Sequence, residues 1–383
     1  MEKANILAVK CFYRLLRKKA TNMTRLPIVG ADKDNWGALL NEFLQVAHRA
    51  DGALRGVAEV INVRDYGATG NGQTNDLAAV QAAIQAAAPG SVLYFPSGDY
   101  LLKRVFILKE IPEENVPLPQ KCKELILQDD KEVLLINKLL HLRGTGAATT
   151  LLKGEIEIRD PNNALIADCA SFIDIIHIDI QGETRFMSIE NLQIRPKAKC
   201  RHTINIDVNQ RDPLQVQANL LIQDCFLLSS GDGYAIYLTN SHSDGFFASH
   251  INRNFVLGGI YLNCSGDSIW ITHNLISDTP GTGTNTGITL KNDVGAVSSV
   301  IAYNNITAYG GAINIIRGGE TKILYNQLEA RPPYHIGVRN ALLSIEGDAD
   351  KPGQCFQIDI VGNNINPNQT VDYAIYLGYA SEI

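Results

Sequence analysis

Five carboxylates follow short apolar stretches in the C-terminal half of the chain: Asp244, Asp267, Asp293, Glu320 and Glu346. If successive repeats stack so that these acids share one edge, neighbours lie about 5 Å apart and second neighbours about 10 Å. Those spacings bracket the carboxylate separations used by retaining and inverting glycosidases. Asp267, Asp293 and Glu320 are therefore the catalytic candidates. The competing use is structural, because acids after strands commonly close turns, and Asp232 in S-G-D-G reads that way. Lys291 beside Asp293 could take a proton in an elimination, and only that chemistry would call for Ca²⁺ to offset a uronate charge. No other cofactor is expected. His202, His242, His250 and His273 have no metal-ligand spacing, and Ser229-Ser230-Gly231 is not a G-x-S-x-G elbow.

Composition narrows the classes. The chain has 383 residues, 45% hydrophobic and 19% charged, with a formal net charge of -6. That supports a large core and excludes disordered and collagenous classes. The mild acidity (pI about 5.8) argues against nucleic acid as a ligand. No apolar run is long enough for membrane insertion. The seven cysteines form no C-x-x-C pair and read as small buried hydrophobes. Residues 6–9 are apolar but are followed by Lys10, Arg14, Arg17, Lys18 and Lys19 with no cleavage site, so synthesis in the cytoplasm without a secretory signal is expected.

The elements that would position these groups repeat. An apolar-x-x-Asn-x-apolar unit recurs with anchors at Asp224, Asn254, Asn274, Asn304, Asn326 and Asn363, 20 to 37 residues apart. Periods of this size signal a solenoid. Asn at a bend tolerates left-handed backbone and can bond the backbone of its neighbour, and stacked repeats could build a side-chain ladder. After each anchor comes a second strand with alternating apolar residues: Ile236/Leu238, Ile260/Leu262, Ile288/Leu290, Ile313/Ile315, Leu343/Ile345 and Ile375/Leu377 are expected inside. Between them Tyr237, Tyr261, Thr289, Asn314, Ser344 and Tyr376 are expected outside, as one exposed column on which sugar rings could lie. Tyr237, Tyr261, Thr289, Asn314 and Tyr376 are the substrate-binding candidates. An ordinary solvated face is the alternative.

The N-terminal region is different. Residues 1–25 carry seven basic residues against Glu2, with apolar positions at helical spacing, and read as a basic amphipathic segment or a solvated leader preceding Met23. Residues 26–57 hold a short helix with Leu39, Leu40, Phe43, Leu44 and Ala47 on one face, which one helix cannot bury alone. Trp36-Gly37, Leu40-Asn41, His48 and Asp51-Gly52 resemble a module near the N-terminus of bacteriophage tail fibres and tailspikes. That resemblance implies a tail-attachment role, with Trp36, Leu40, Phe43 and Leu44 as its contacts.

From Val63 onward a strand, a Gly-punctuated loop, an Ala-rich helix capped by Asn75 or Asp76, and another strand follow. The order G-x-x-G-x-G (Gly67, Gly70, Gly72) does not match a dinucleotide site. Asp65-Tyr66-Gly67-Ala68, Gly72, Asp76, Ala82-Ala83-Ile84 and Tyr94 to Tyr100 resemble the opening segment of pectate-lyase-like right-handed parallel β-helices. Leu140 to Leu152 resembles the next coil, with residues 109–138 read as an insertion. The resemblance implies an all-β fold from residue 58 to 383, closed at its start by the helix of residues 76–87. The polygalacturonase motifs of that superfamily are absent. Together the two resemblances imply a virion tail protein assembled in the host cytoplasm as a homotrimer. Its partners would be tail or baseplate proteins and a host surface polysaccharide that it binds or depolymerises. A cellular lyase, hydrolase or epimerase, and an inert tail adaptor, are the alternatives.

Overall fold

The computed structural model describes residues 59–107 and 132–378. Within that span 161, 167–169, 171, 182–185, 198, 210–218, 231–232, 241–245, 265, 278–285, 293–296, 310, 332–340, 348–354, 356 and 369–370 are not described. The described residues fall in one compact unit, Glu59–Ile383. The segments 1–25 and 26–57, with Trp36, Leu40, Phe43 and Leu44, lie outside the described residues, as do Asp232, Asp244 and Asp293.

Three parallel sheets of 10, 10 and 9 strands run the length of this unit. The first extends from Val60–Asn62 to Asp359–Val361, the second from Asn71–Asn75 to Asn364–Asn366, and the third from Glu132–Ile136 to Tyr373–Gly378. The chain visits the sheets in turn, so each circuit adds one strand to each. Phe246–Asn252, Phe255–Leu257 and Ile260–Asn263 form one such coil, and Gly266–Thr272 begins the next. This is a right-handed parallel β-helix.

Alternation explains the strands. Ile260, Ile288 and Ile313 are stacked partners in neighbouring coils and are at most 1% exposed. Each such side chain contributes about 1.5–3 kcal/mol of burial, repeated up the axis. The exception is the last coil, where Ile375 and Leu377 are 38% and 49% exposed although Leu343 and Ile345 beneath them are fully buried. The expected inward burial fails there because no described strand lies beyond Tyr373–Gly378.

The asparagine ladder forms inside the bend between the first and second sheets. The backbone N–H and Nδ2 of Asn254, Asn274, Asn304 and Asn326 each donate to the Oδ1 of the next asparagine, ending at Asn363, over 2.8–3.1 Å. Two expectations are corrected. The left-handed residue is the one before each ladder position: Arg253, His273, Tyr303 and Tyr325 have φ between 53° and 58°. Asp224 is itself such a left-handed residue, and the ladder instead starts at Cys225, whose N–H donates to Asn254 Oδ1 at 3.0 Å. A ladder side chain must point inward from the bend, which leaves the flanking residue to make the turn.

Helix α1, Leu77–Ala86, closes the N-terminal end with Leu77, Val80, Ala83 and Ile84 buried against the coil residues. Its last carbonyls are bonded by Lys138, whose Nζ lies 3.1 Å from both Gln85 O and Ala87 O. Asp76 precedes the helix but does not cap it through its side chain. It is 1% exposed and accepts from the Thr69 and Gly70 N–H groups at 2.7 and 3.1 Å, fixing the glycine loop. The reading of residues 109–138 as one insertion is also corrected, since Glu132–Ile136 is the first strand of the third sheet.

Candidate functional site

The outward positions of the third sheet align in register as His177, Asn205, Tyr237, Tyr261, Thr289, Asn314, Ser344 and Tyr376. The expected column therefore exists, but it is not continuously exposed. Tyr237, Tyr261 and Tyr376 are partly exposed, whereas Thr289, Asn314 and Ser344 are 4%, 3% and 2% exposed. Tyr234, on the segment crossing from the second sheet, leans on Tyr261 with ring centroids 5.0 Å apart and bonds Thr289 through its hydroxyl.

The rings stack on one another along the axis. Tyr237 is held between His202, at 4.0 Å and 8°, and Tyr261, at 4.8 Å and 7°. Both faces of Tyr237 are thus taken, and a ligand meets its edge and hydroxyl. Four polar atoms of this column are buried with no hydrogen-bond partner: His177 Nε2, Asn205 Oδ1, Asn314 Oδ1 and Ser344 Oγ. Such atoms cost about 1–3 kcal/mol each unless water or a ligand satisfies them. Hydroxyl groups, which both donate and accept, match this mixed set.

The N-terminal part of the face holds a charged cluster that the repeat pattern did not single out. Asp174, fully buried, accepts from Arg201 Nε (2.9 Å), the His202 N–H (3.1 Å) and Asn205 Nδ2 (2.8 Å), with Arg201 Nη2 also bonded. Glu132, 5% exposed, faces His177 Nδ1 at 3.4 Å and takes the Arg104 guanidinium at 3.9 Å. Burial works against a charged His177, but Glu132, Asp174 and Asp179 outweigh it and raise its pKa. Burial dominates at His202, pushing it down to about 4, and its Nδ1 accepts the Tyr234 N–H at 3.1 Å. Burial also raises the Tyr237 hydroxyl. The signal in the sequence was the alternation I-x-I-x-I at 176–180 and I-x-I-x-V at 204–208.

Of the five carboxylates expected on one edge, Asp267 and Glu320 both stand at the start of first-sheet strands, Glu346 is on the third sheet, and Asp244 and Asp293 lie outside the described residues. Asp267 lies in the first-sheet strand Gly266–Thr272, and Glu320 immediately precedes the first-sheet strand Thr321–Leu324, two coils further on. Glu320 is exposed with φ 26°. Glu346 stands instead on the third-sheet face, aligned with Ile316 and Gly378, and Lys291 is aligned there with Asn263 and Ile316. Strand lengths and crossover lengths vary from coil to coil, so equal sequence offsets do not reach equal places. Among the described residues no cluster of His, Cys, Asp or Glu could hold a metal ion. His250 stacks on Trp270 at 4.5 Å and His273 on Tyr303 at 5.2 Å.

The class that these observations define is a right-handed parallel β-helix. Residues 60–116 match the family described as rhamnogalacturonase A/epimerase, pectate lyase-like. The chain is 48% identical over 52 residues to plasmin and fibronectin-binding protein A of Streptococcus pneumoniae, and 56% identical over 41 residues to alginate lyase 7 of Azotobacter vinelandii. These stretches cover 13% and 10% of this chain and only 7% and 5% of the relatives' own length. Among solved structures, the Dettilon tailspike protein is similar with a TM-score of 0.42 at 13% identity, covering 89% of this chain and 73% of that one. The A-module of mannuronan C-5 epimerase AlgE6 from Azotobacter vinelandii gives 0.35 at 16% identity, covering 83% and 97%.

Proposed function

We propose that the protein is a bacteriophage tail spike or fibre that binds a host surface polysaccharide along the outward face of the third sheet. The observation that carries this reading is the column of stacked rings and unpartnered buried polar atoms on that face. Ring edges and hydroxyl-seeking amides are what a carbohydrate uses. The phage assignment is supported by the tail-module resemblance of residues 26–56, whose Trp36 helix would attach it to the tail. Tailspikes of this build are commonly homotrimers, and that is the assembly expected here.

Two measurements test this. Purified protein is incubated with envelope glycans of candidate hosts, with binding and the release of reducing ends or unsaturated uronates followed together. Saturable binding without new ends gives a receptor-binding spike, and new ends add depolymerase activity. Removal of residues 1–56 is expected to abolish incorporation into tails while leaving glycan binding intact. Absence of glycan binding by the intact protein would sink the reading.

A further inference from the structure

The second sheet turns outward a face that changes character along the axis. One outward column runs in register through Phe226, Phe255, Leu275, Asn305, Gln327 and Asn364. Its first half is apolar, and its second half is a row of exposed amides. Leu228 and Leu257 stand beside Phe226 and Phe255 in the next outward column, so no charge breaks the apolar band on this sheet. Leu275 is 43% exposed, and the Phe226 and Phe255 ring centroids are 4.6 Å apart. Toward the N-terminal end the same face carries both signs of charge. Lys103 pairs there with Glu155 at 3.2 Å and Lys197 with the same carboxylate at 2.7 Å, while Lys153 and Arg195 are aligned on neighbouring strands.

At the bend with the first sheet, exposed rings continue the band. His273, Tyr303 and Tyr325 stack at 5.2 and 5.4 Å, and the two tyrosines are 54% and 52% exposed. All three hold left-handed backbone, where a bulky side chain is disfavoured and Asn or Gly would sit with less strain. Large rings kept at strained, solvent-facing positions beside an apolar band match the composition of a protein contact, with Tyr and Phe at its centre and polar groups at its rim. The area agrees. Ten strands at about 4.8 Å make the face about 43 Å tall, and about five residues across, bend included, make it about 17 Å wide, so flat packing covers roughly 700 Å² per copy. Stable complexes bury about 600–1,000 Å² on each side.

We propose that this face is where copies of this chain pack side by side, with their β-helix axes parallel about a rotation axis running in the same direction. A second copy is the occupant because every band matches itself at equal height. Mixed charges meet mixed charges, apolar groups meet apolar groups, and amides, which both donate and accept, meet amides. An antiparallel pair would set the charged band on the amide band. The proposal rests on the homotrimer expected above and names its contact and orientation. The third sheet lies on another side of each coil, so every copy keeps its glycan face outward and several act together on one polymer.

The test uses the full chain carrying the photo-cross-linker benzoylphenylalanine in place of Leu275, of Lys153 or, as a control, of Tyr261. The first two placements are expected to join copies on irradiation, at peptides within residues 223–330 and 99–197 respectively, and the Tyr261 placement to do so at least tenfold less. Leu275→Asp combined with Tyr303→Asp, confirmed folded by circular dichroism, should cut both yields at least tenfold while each chain still binds glycan. A monomer by light scattering at micromolar concentration would overturn the proposal, as would cross-linking through position 261 in place of 275. Products of the Lys153 placement within residues 305–366, or undiminished yields in the double variant, would overturn it equally. Glycan binding is followed on the same samples, and its absence in protein that cross-links as expected sinks the glycan reading while leaving this contact standing.

Discussion

Replacing Asn304 by alanine tests the ladder where it is most demanding. Asn304 is 2% exposed. Its Oδ1 accepts from the N–H and Nδ2 of Asn274, both at 3.0 Å, and its Nδ2 donates to Ile271 O at 2.8 Å and Asn326 Oδ1 at 3.0 Å. Alanine deletes all four bonds and leaves the Asn274 N–H and the Ile271 carbonyl inside without these partners. A net hydrogen bond is worth about 1 kcal/mol and a stranded buried polar group costs about 1–3 kcal/mol. Because the losses share partners they do not simply add, and a cost of about 3–5 kcal/mol is expected. The same change at Asn363 removes an acceptor for Asn326 and the donor to Ile323, in a site that water can reach, and should cost about 1–2 kcal/mol. Urea unfolding of both variants supplies the comparison, with hydrogen exchange to locate the loss, since a solenoid can open coil by coil. Equal costs at the two positions, or less than about 1 kcal/mol at Asn304, would refute the claim that the buried ladder holds the bend.

Tyr237→Ala removes the stacking with His202 and Tyr261 and should cost about 1–3 kcal/mol of stability by thermal unfolding; Tyr237→Phe should keep that stability, and any glycan binding it loses reports on the hydroxyl. Gly233→Ala would place a Cβ 1.3 Å from the Arg201 carbonyl oxygen, so the segment holding Tyr234 must shift; loss of the His202 and Tyr234 ring contacts, seen by aromatic NMR shifts, is the expected result. His202 is held neutral, with its pKa lowered from 6.5 to about 4, so between those values the unfolded state binds more protons. Its contribution is present above about pH 6.5 and falls on acidification through pH 4, by an amount on the order of 3 kcal/mol, and His202→Asn should flatten that limb of the stability profile. His177 runs the other way: its raised pKa gives stability below pH 6.5 that is lost as pH rises through the folded value, and Glu132→Gln should reduce that dependence.

Much of the architecture was legible because a solenoid is nearly one-dimensional. Ile260, Ile288 and Ile313 could be assigned to one stack from spacing and alternation, since each coil meets only its neighbours. The asparagine ladder was legible for the same reason, although which residue turned and which pointed inward was not, because both fit the same two positions at the bend. Tertiary structure alone decided exposure. Thr289 and Tyr261 occupy equivalent outward positions, yet Thr289 is buried and Tyr261 is partly exposed, a difference that leaves no mark in the alternation of either strand. It also decided charge placement: Asp174 and Arg201, 27 residues apart, meet because one coil brings them together, while Glu320 and Glu346, similar in sequence setting, go to different sheets. Periodicity fixes the axial position of a residue; what lies across from it depends on crossover lengths, which do not repeat.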